Sequence, residues 1–401
     1  MLNKILKYSF KALLLIPIVV VLHLNLSLHY TPSFVKSINE DELAQLNFLE
    51  NTLHNKSAGE EMQAVFPEGF LFINVLYGLA YADFVEKSGI APQSELGKKA
   101  DKEMTWAIAE INSEMGKSIF LHKLPLENGA FYKGWQSYLL GRKLQVSATK
   151  EGALIQQFQS NCEAISRTIS ATNKPYLESY KGAAWPADNV LCLASLALHD
   201  RIFAPKYTVV IADWMDRIKA HLDENTGLIP HSFSLIYDKG IETRGSSQSL
   251  MLAFLAKIDP VFAQNQYGIY KKLFVEEKIG LPAVREYRMG VEGGGDVDSG
   301  PVIWAVGGSA SIVGVRAAAE NGDFGLSCSL RNSIEAFAFS TNWSNEKTYL
   351  FGQLPVIDAF MAWSNAGMTS ATEPKTGGGS WQFHLMSLLF AVPFCWWVYR
   401  L

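Results

Sequence analysis

Three aspartates stand in settings where a carboxyl group could transfer protons. Asp296 and Asp298 lie in the glycine-rich segment "EGGGDVDSGP", residues 292–301, and Asp188 lies in "WPADN", residues 185–189. Aspartates at positions i and i+2 of an extended segment face the same side, and carboxyl groups that are close together push their pKa values apart. One member of such a pair can act as a base while the other acts as an acid. The pattern therefore predicts acid–base chemistry, with Asp296 as the stronger candidate.

The glycine-rich segment does not fit two common ligand-binding loops. A phosphate-binding loop requires a lysine after its second glycine, and none follows here. A calcium loop that began at Asp296 would place Gly300 and Gly307 at the fifth and twelfth positions, where oxygen ligands are needed. The structural alternative is that Pro301 begins a helix whose first amides are capped by Asp298 or Ser299. We predict no metal and no cofactor.

Other polar and aromatic residues precede candidate helices and could line a pocket around these carboxyl groups. His231, beside Pro230, and Tyr132, in "YKGW", are candidate catalytic residues because either can carry a proton. The candidate substrate-binding residues are Trp135, Trp185, Asn189, Glu68, Arg244 and Tyr287. Structural roles remain open for these residues, since tryptophans commonly lie in cores, Asp188 can cap a helix and Arg244 can pair with Glu242.

The chain between about residues 40 and 370 is predicted to be a succession of helices. Apolar residues recur there at spacings of three and four, and the alternation typical of strands is nearly absent. The predicted helices are 70–87, 98–115, 131–145, 153–170, 188–203, 207–223, 245–258, 260–275, 301–320, 325–339 and 357–365.

Two kinds of helix alternate along this succession. Helices 188–203, 245–258 and 301–320 are apolar or small on nearly every face, whereas the helices between them have one polar face. A helix that is apolar all round is buried, and an amphipathic helix lies outside it. The pattern predicts an all-α fold, an (α/α)6 toroid of six helical hairpins, with an open α-solenoid as the alternative. In a toroid the loops before the inner helices meet at one mouth, where the candidate residues would line a funnel.

Both ends of the chain have the composition of membrane helices. Residues 12–28 are uncharged and apolar and follow Lys4, Lys7 and Lys11, while residues 383–401 are apolar and aromatic and end near Arg400. The alternatives are a cleaved signal peptide at the N-terminus and a docked amphipathic helix at the C-terminus. The basic residues predict that both ends are cytoplasmic and that the toroid lies on the non-cytoplasmic side.

The predicted organisation is therefore a membrane anchor at 1–30, a toroid domain at 40–370, a glycine-rich linker at 371–382 and a transmembrane helix at 383–401. The net charge of −4 provides no basic surface for nucleic acid. The four cysteines form no C-x-x-C pair, so we predict buried free thiols rather than a zinc ribbon. The expected partners are a small-molecule substrate and the lipid bilayer, and the sequence specifies no protein partner.

The segments "YKGW", "WPADNVLCLASLALHDR" and "DENTGLIPHS" carry a family resemblance. Together with the helices that follow, over residues 131–275, they resemble the linalool dehydratase/isomerase family. The resemblance implies an (α/α)6 toroid that adds or removes water on a terpenoid alcohol without a cofactor. Only Tyr132 matches a catalytic residue of that family. Trp135 stands in place of a catalytic histidine, and Ala184 and Asp188 stand in the segment that carries catalytic cysteines.

Three functional hypotheses follow. The first is a linalool dehydratase/isomerase-like protein, a lyase, hydratase or isomerase acting on a small hydrophobic or hydroxylated substrate in a central funnel. The second is a carbohydrate-active toroid, a glycoside hydrolase or lyase, which would use paired carboxyl groups and aromatic walls. The third is a membrane module that binds a lipid or a glycan without catalysis.

Overall fold

The computed structural model describes residues 2–120, 123–297, 299–373 and 380–400, with the backbone alone for residues 2–5. Asp298 and residues 374–379, half of the predicted linker at 371–382, lie outside the described residues. Numbered in chain order, the helices are α1 (Leu2–Ser27), α2 (Glu40–Asn55), α3 (Ala58–Val65), α4 (Gly69–Lys87), α5 (Glu95–Asn112), α6 (Glu114–Lys117), α7 (Gly129–Val146), α8 (Gly152–Ser170), α9 (Pro186–Ile202), α10 (Thr208–Lys219), α11 (Gly245–Leu255), α12 (Pro260–Phe274), α13 (Gly308–Glu320), α14 (Phe324–Phe337), α15 (Pro355–Asn365) and α16 (Trp381–Arg400).

Six helices form a closed inner ring. Helix α4 contacts α7, α7 contacts α9, α9 contacts α11, α11 contacts α13, α13 contacts α15, and α15 returns to α4. The six outer helices pack against this ring: α2 contacts α15 and α4, α5 contacts α4 and α7, α8 contacts α7 and α9, and α10, α12 and α14 each contact the inner helix that precedes them. The fold is an (α/α)6 toroid, as the sequence predicts, and the closed ring excludes the open solenoid.

All inner helices begin at the same end of the ring, which we call the mouth. Each inner helix from α4 to α13 joins the next outer helix by a short connection, so the two run antiparallel. The return to the next inner helix brings the chain back to the mouth. Four of the five strand pairs lie in these returning connections: β3 (Ser232–Ser234) with β4 (Lys239–Ile241), β5 (Val275–Lys278) with β6 (Leu281–Val284), β7 (Val302–Ile303) with β8 (Val306–Gly307), and β9 (Thr341–Trp343) with β10 (Glu346–Thr348). The fifth pair, β1 (Phe34–Val35) with β2 (Ile38–Asn39), precedes α2.

The mouth loops lie directly on the ends of the inner helices. Gly245 begins α11, and a Cβ atom there would overlap the carbonyl oxygen of Arg285 from the next loop. Gly129 begins α7 with a φ of +82°, and its Cβ would overlap the carbonyl oxygen of Ser179. Only glycine fits both positions, because the neighbouring backbone approaches too closely for a side chain. This packing fixes the mouth loops relative to the ring.

The ring axis is filled by aromatic side chains. Trp135 is fully buried and packs edge-on against Phe72, Phe254 and Trp363, with ring centroids 5.5, 5.9 and 6.4 Å away. Phe254 and Trp363 stack on each other at 5.7 Å. Trp135, predicted to line the funnel, therefore lies inside the core of the ring.

Paired charges close the ring at the end opposite the mouth, which we call the closed end. Buried Asp83 on α4 lies 2.7 Å from Arg142 on α7 and 2.7 Å from Arg316 on α13. Glu320 contacts both Arg316, at 2.7 Å, and Lys257, at 2.6 Å. The two arginines hold the pKa of Asp83 below its ordinary value against the effect of burial. These ion pairs join inner helices α4, α7 and α13 to one another and to Lys257, which follows the end of α11.

The terminal helices pack against each other outside the ring. Leu24 and Leu28 near the end of α1 lie against Phe383 near the start of α16, so the two helices run antiparallel and extend in one direction. Both are long and apolar enough to span a membrane, and they are almost entirely exposed. Helix α4 meets the same length and hydropathy criteria, but it is buried in the ring.

The sequence located most helices to within a few residues, and one boundary was wrong. Pro301 does not begin a helix: it precedes β7, and α13 starts at Gly308. Ser299 instead bonds within its own loop, accepting from the amide of Asp296 at 3.0 Å. The described residues of the glycine-rich segment therefore form a loop of the mouth, and Ser299 does not cap a helix. The four cysteines are free, as predicted, but Cys395 in α16 is exposed and the other three are buried.

Candidate active site at the mouth of the toroid

Backbone hydrogen bonds connect the mouth loops to one another. The amide of Phe233 donates to the carbonyl oxygen of Ala184 at 2.9 Å and joins the loop before α11 to the loop before α9. The amide of Gly245 donates to the carbonyl oxygen of Glu286 at 2.8 Å and joins α11 to the loop before α13. These contacts bring the segments of Asp188, His231, Arg244 and Asp296 to one side of the mouth.

Arg244 is the centre of a charged cluster at this side of the mouth. Its Nε donates to Glu242 at 2.8 Å, another guanidinium nitrogen contacts Asp296, and the guanidinium lies over the ring of Tyr287 at 5.5 Å from its centroid. Burial alone would raise the pKa of Asp296, but hydrogen bonds from Arg244 and Ser299 lower it to about 2. Asp296 is therefore an ionised carboxylate that is still partly exposed.

His231 lies beside this cluster as a neutral imidazole. Its Nδ1 is 2.5 Å from the hydroxyl of Ser247 in the first turn of α11, and its backbone amide donates to Glu242. Burial and, secondarily, the positive charge of Arg244 lower the pKa of His231 to about 4, although Asp296 opposes the shift. At neutral pH the side chain can accept or donate a hydrogen bond without carrying charge.

Glu286 lies near Arg244, in the loop before α13, and was not among the predicted site residues. The carboxylate is fully buried and accepts from the amide of Ser246 at 3.2 Å and from its hydroxyl at 2.7 Å. Burial raises the pKa of Glu286 to about 7, despite the hydrogen bonds from Ser246 and the charge of Arg244. Since Asp296 is ionised, two neighbouring carboxyl groups have well-separated pKa values.

Asp188 and its neighbours form the adjoining part of the mouth. Asp188 lies nearly buried in the first turn of α9. Asn189 has a structural role, because its side-chain oxygen accepts from the amide of Leu177 at 2.7 Å and its nitrogen donates to Leu177 and Trp185, both at 3.1 Å. Trp185 is half-buried, with its indole edge-on to Tyr180 at 5.6 Å.

Glu68 joins this part of the mouth to the loop before α4. Its carboxylate accepts from the hydroxyl of Tyr180 at 2.5 Å. Tyr180 in turn packs near Phe120 and Phe131. The carboxylate of Glu68 therefore holds one aromatic side of the mouth in place.

Tyr132 does not join the other candidate residues. It is fully buried, and its hydroxyl donates to the carbonyl oxygen of Ile111 at 2.9 Å, toward the outer helix α5. Trp135 lies in the ring axis, as described above. Asp298 lies outside the described residues. The mouth therefore contains Glu68, Trp185, Asp188, Asn189, His231, Arg244, Tyr287 and Asp296.

A second carboxyl group with a raised pKa lies at the start of another inner helix. Asp358 in the first turn of α15 is fully buried, and one of its oxygens accepts from the amide of Tyr349 at 2.7 Å. Its other oxygen has no hydrogen-bond partner among the described residues. Burial raises the pKa of Asp358 to about 8, against hydrogen bonds from the backbone. The sequence could have indicated Asp358, because it is an aspartate in the first turn of an inner helix, as Asp188 is.

The described residues contain no group of three histidine, cysteine, aspartate or glutamate side chains arranged to hold a metal ion. The mouth residues themselves can supply proton transfer and charge stabilisation. An ionised carboxylate, a neutral imidazole and a guanidinium lie together, with aromatic rings around them.

Comparison with known proteins gives no family assignment. No family model matches the chain, and no curated protein matches it. Among solved structures, one similar protein is the unsaturated glucuronyl hydrolase responsible for glycosaminoglycan degradation in Bacillus sp. GL1, with a TM-score of 0.48 and 11% identity over 73% of this chain and 84% of that one. Another is an unsaturated glucuronyl hydrolase specific for heparin, with a TM-score of 0.48 and 11% identity over 88% of this chain and 95% of that one.

The ring of helix contacts establishes the toroid independently of these similarities. The resemblance to the linalool dehydratase/isomerase family stays a prediction.

Proposed function

We propose that this chain is a membrane-anchored enzyme that cleaves a glycan by acid–base chemistry at the mouth of the toroid. The observation that carries the proposal is the cluster of Arg244, Asp296 and His231, with Tyr287 and Trp185 at its sides. Carboxyl groups and a guanidinium bind the hydroxyl and acidic groups of sugars, and aromatic rings pack against the apolar faces of sugar rings.

The proposal assigns roles to two carboxyl groups. Hydrolysis of a glycosidic bond requires one carboxyl group that donates a proton to the leaving oxygen. A second, ionised carboxylate either takes a proton from the water that attacks the anomeric carbon or attacks that carbon itself, and water then releases the sugar. Asp296 suits the ionised role because Arg244 and Ser299 lower its pKa. Glu286 has the raised pKa, but it is fully buried under Ser246. We therefore assign proton donation to Asp188, which lies at the start of α9 beside Trp185. His231 and Arg244 would orient the sugar.

The interior of the ring favours this substrate class over a terpenoid alcohol. A terpenoid requires an enclosed apolar cavity, whereas the axis of this ring is occupied by Trp135, Phe254 and Trp363 in contact with one another. Tyr132, which matches a catalytic residue in the family resemblance, directs its hydroxyl outward, to Ile111 near the end of outer helix α5. A substrate therefore binds at the polar mouth in this proposal.

The terminal helices support a membrane location. Helices α1 and α16 are exposed and apolar, and they extend in one direction from the toroid. Lys4, Lys7, Lys11 and Arg400 lie toward their far ends and would remain in the cytoplasm. The toroid is then on the non-cytoplasmic side.

The test is a substrate panel with the full chain in lipid nanodiscs. Neutral and uronate-containing oligosaccharides and a monoterpene alcohol are incubated with the protein, and products are identified by mass spectrometry. We expect turnover of a glycan, with a loss of about 10²-fold or more for Asp188→Asn, as is usual when a general acid is removed. Asp213→Asn, an exposed aspartate on outer helix α10, is the matched control and should keep full activity. Turnover of the terpenoid alone, or of no compound, would contradict the proposal, and the latter would favour a binding module.

A further inference from the structure

The position of α1 on the toroid determines which end of the ring meets the membrane. The ring of His23 stacks on Phe339 at 5.3 Å, and five residues later the carbonyl oxygen of Leu28 accepts from Asn332 at 3.1 Å. Helix α1 therefore runs antiparallel to α14, and the residues before His23 extend beyond the C-terminal end of α14. That end leads into α15 and lies at the mouth.

Helix α16 begins at the same end. Phe383 packs edge-on against Phe337, the last residue of α14, at 5.9 Å. Ser380 and Gln382 lie against Gly280 at the turn between β5 and β6, which belongs to the mouth connection before α13. Both terminal helices thus leave the toroid on its mouth side. We refer to the pair as the terminal hairpin.

The mouth loops expose apolar side chains toward this same side. Ile236 and Tyr237 at the turn between β3 and β4 are both 81% exposed, and Ile303 and Trp304 at the turn between β7 and β8 are 66% and 75% exposed. Phe351, 67% exposed, stacks at 6.2 Å on Phe339, the residue that also contacts His23 of α1. We call these five residues the mouth rim.

The closed end has a different surface. Its exposed large apolar residues among those described are the valines Val35, Val209 and Val261, and no exposed aromatic side chain is found there. Trp343, the other exposed aromatic residue of the described mouth connections, is the last residue of β9, and the β9–β10 hairpin lies beside α2 on the outer wall. Tyrosine and tryptophan are enriched where proteins meet the headgroup layer of a bilayer.

The anchor fixes the depth of the rim as well. Helix α1 contains 26 residues and is about 39 Å long at about 1.5 Å per residue, which exceeds the roughly 30 Å hydrocarbon core of a bilayer. Its last turns lie level with the end of α14, and the rim is contiguous with them through Phe339 and Phe351. The bilayer surface is therefore level with the mouth.

We infer that the mouth faces the bilayer that holds the terminal hairpin, and that the substrate is a membrane lipid carrying a glycan headgroup. The rim residues enter the headgroup layer, and a headgroup extending from that layer reaches Arg244, Asp296 and Asp188 without the lipid leaving the membrane. The choice of a glycan headgroup rests on the proposed function, whereas the orientation of the mouth does not.

The orientation is tested with an environment-sensitive fluorophore in nanodiscs that contain a lipid with a quencher near its headgroup. In a Cys395→Ala background, Trp304→Cys and Tyr237→Cys place the label on the rim. Val261→Cys, on the first turn of α12 and 74% exposed, places it at the closed end as a control of similar exposure. The expected result is loss of fluorescence at positions 304 and 237 and little loss at 261. Equal quenching at all three positions, or stronger quenching at 261, would overturn the orientation.

The substrate class is tested separately with the rim variant Tyr237→Ser/Trp304→Ser. We expect this variant to lose turnover of a glycolipid in vesicles while it keeps turnover of the same glycan released in solution. If both activities fall equally, the rim has no role in reaching a membrane substrate, even where quenching shows that it faces the bilayer. If the wild type processes neither compound while the labels are quenched, the proposed function fails and the orientation stands.

Discussion

The closed end and the mouth use charged residues in opposite ways. At the closed end Asp83 meets Arg142 and Arg316, and the arginines hold the pKa of the carboxyl group low although burial opposes them. At the mouth burial raises the pKa of Glu286 to about 7 and lowers that of His231 to about 4. Ion pairs that keep both partners charged hold helices together, whereas groups driven toward neutrality are available for proton transfer.

Each end of the ring also contains one carboxyl group whose pKa shifts in the direction typical of the other end. Glu42 at the closed end is buried near Asp83, and burial together with that negative charge raises its pKa. At the mouth, Asp296 has a lowered pKa because Arg244 pairs with it. The difference therefore lies in exposure: the closed-end charges are sealed inside the ring, and Arg244 and Asp296 are open to a ligand.

The largest effect is expected at the closed end, for Asp83→Asn. The substitution leaves Arg142 and Arg316 buried without this counter-charge, and breaking a buried pair in this way costs about 3–5 kcal/mol. Denaturant unfolding monitored by circular dichroism measures the change. Glu86→Gln is the matched control, because Glu86 also pairs with Arg142 but is 40% exposed, and it should cost less than about 1 kcal/mol. Similar losses for the two variants would remove the distinction between sealed and open charges.

At the mouth, His231→Asn should change how stability depends on pH. The pKa of this histidine falls from 6.5 to about 4 on folding, so between those values the unfolded chain binds a proton that the folded chain does not. Acidification therefore destabilises the wild type, by about 3 kcal/mol at about 1.4 kcal/mol per pH unit. The variant should lack this loss, as measured by unfolding free energies between pH 7 and 4. Parallel curves for the two proteins would show that His231 is not held neutral.

Glu286→Gln should change the pH dependence in the opposite direction. The pKa of Glu286 rises from 4.5 to about 7 on folding, so as pH increases between these values the unfolded chain loses a proton that the folded chain keeps. The wild type is then destabilised as pH rises, and the variant is not. The stability of the variant relative to the wild type should increase from pH 4.5 to pH 7. A constant difference would indicate that folding does not change the pKa of Glu286.

The smallest effect is expected for Tyr180→Phe. This change removes the hydroxyl that donates to Glu68 and leaves the aromatic packing intact. A hydrogen bond to a charged group contributes about 1.5–3 kcal/mol when it is fully formed, and less at a partly exposed site. We expect a loss of about 1 kcal/mol in unfolding free energy, together with weaker substrate binding. Unchanged stability and binding would mean that the Glu68 contact does not organise the mouth.

The sequence predicted the ring because the distinction between inner and outer helices is local. A helix such as α9 is apolar on nearly every face, and α8 has one polar face, so each shows its place without knowledge of its neighbours. The strands of the mouth were not predicted, since pairs of two to four residues are too short to show alternation. Pro301 misled because proline suits the first turn of a helix and also the start of a strand.

The site was predicted in part for similar reasons. Asp188 and Asp296 stand in recognisable segments beside proline or glycine. Glu286 was missed because its raised pKa results from burial by α11 and the loop before α13, which are distant in sequence. Tyr132 was placed in the site because its hydroxyl can carry a proton and because it matches a catalytic residue in the family resemblance. The orientation of that hydroxyl toward α5 depends on how the helices pack.

The most direct test of the division between the two ends is Asp296→Asn, measured for activity and for stability in one preparation. Asp296 is partly exposed and its ion pair with Arg244 is open to solvent, so the variant should unfold within about 1 kcal/mol of the wild type. Activity on the glycan that the panel identifies should fall by about 10²-fold or more. Retained activity, or a loss of activity that accompanies an equally large loss of stability, would contradict the assignment of the chemistry to the mouth.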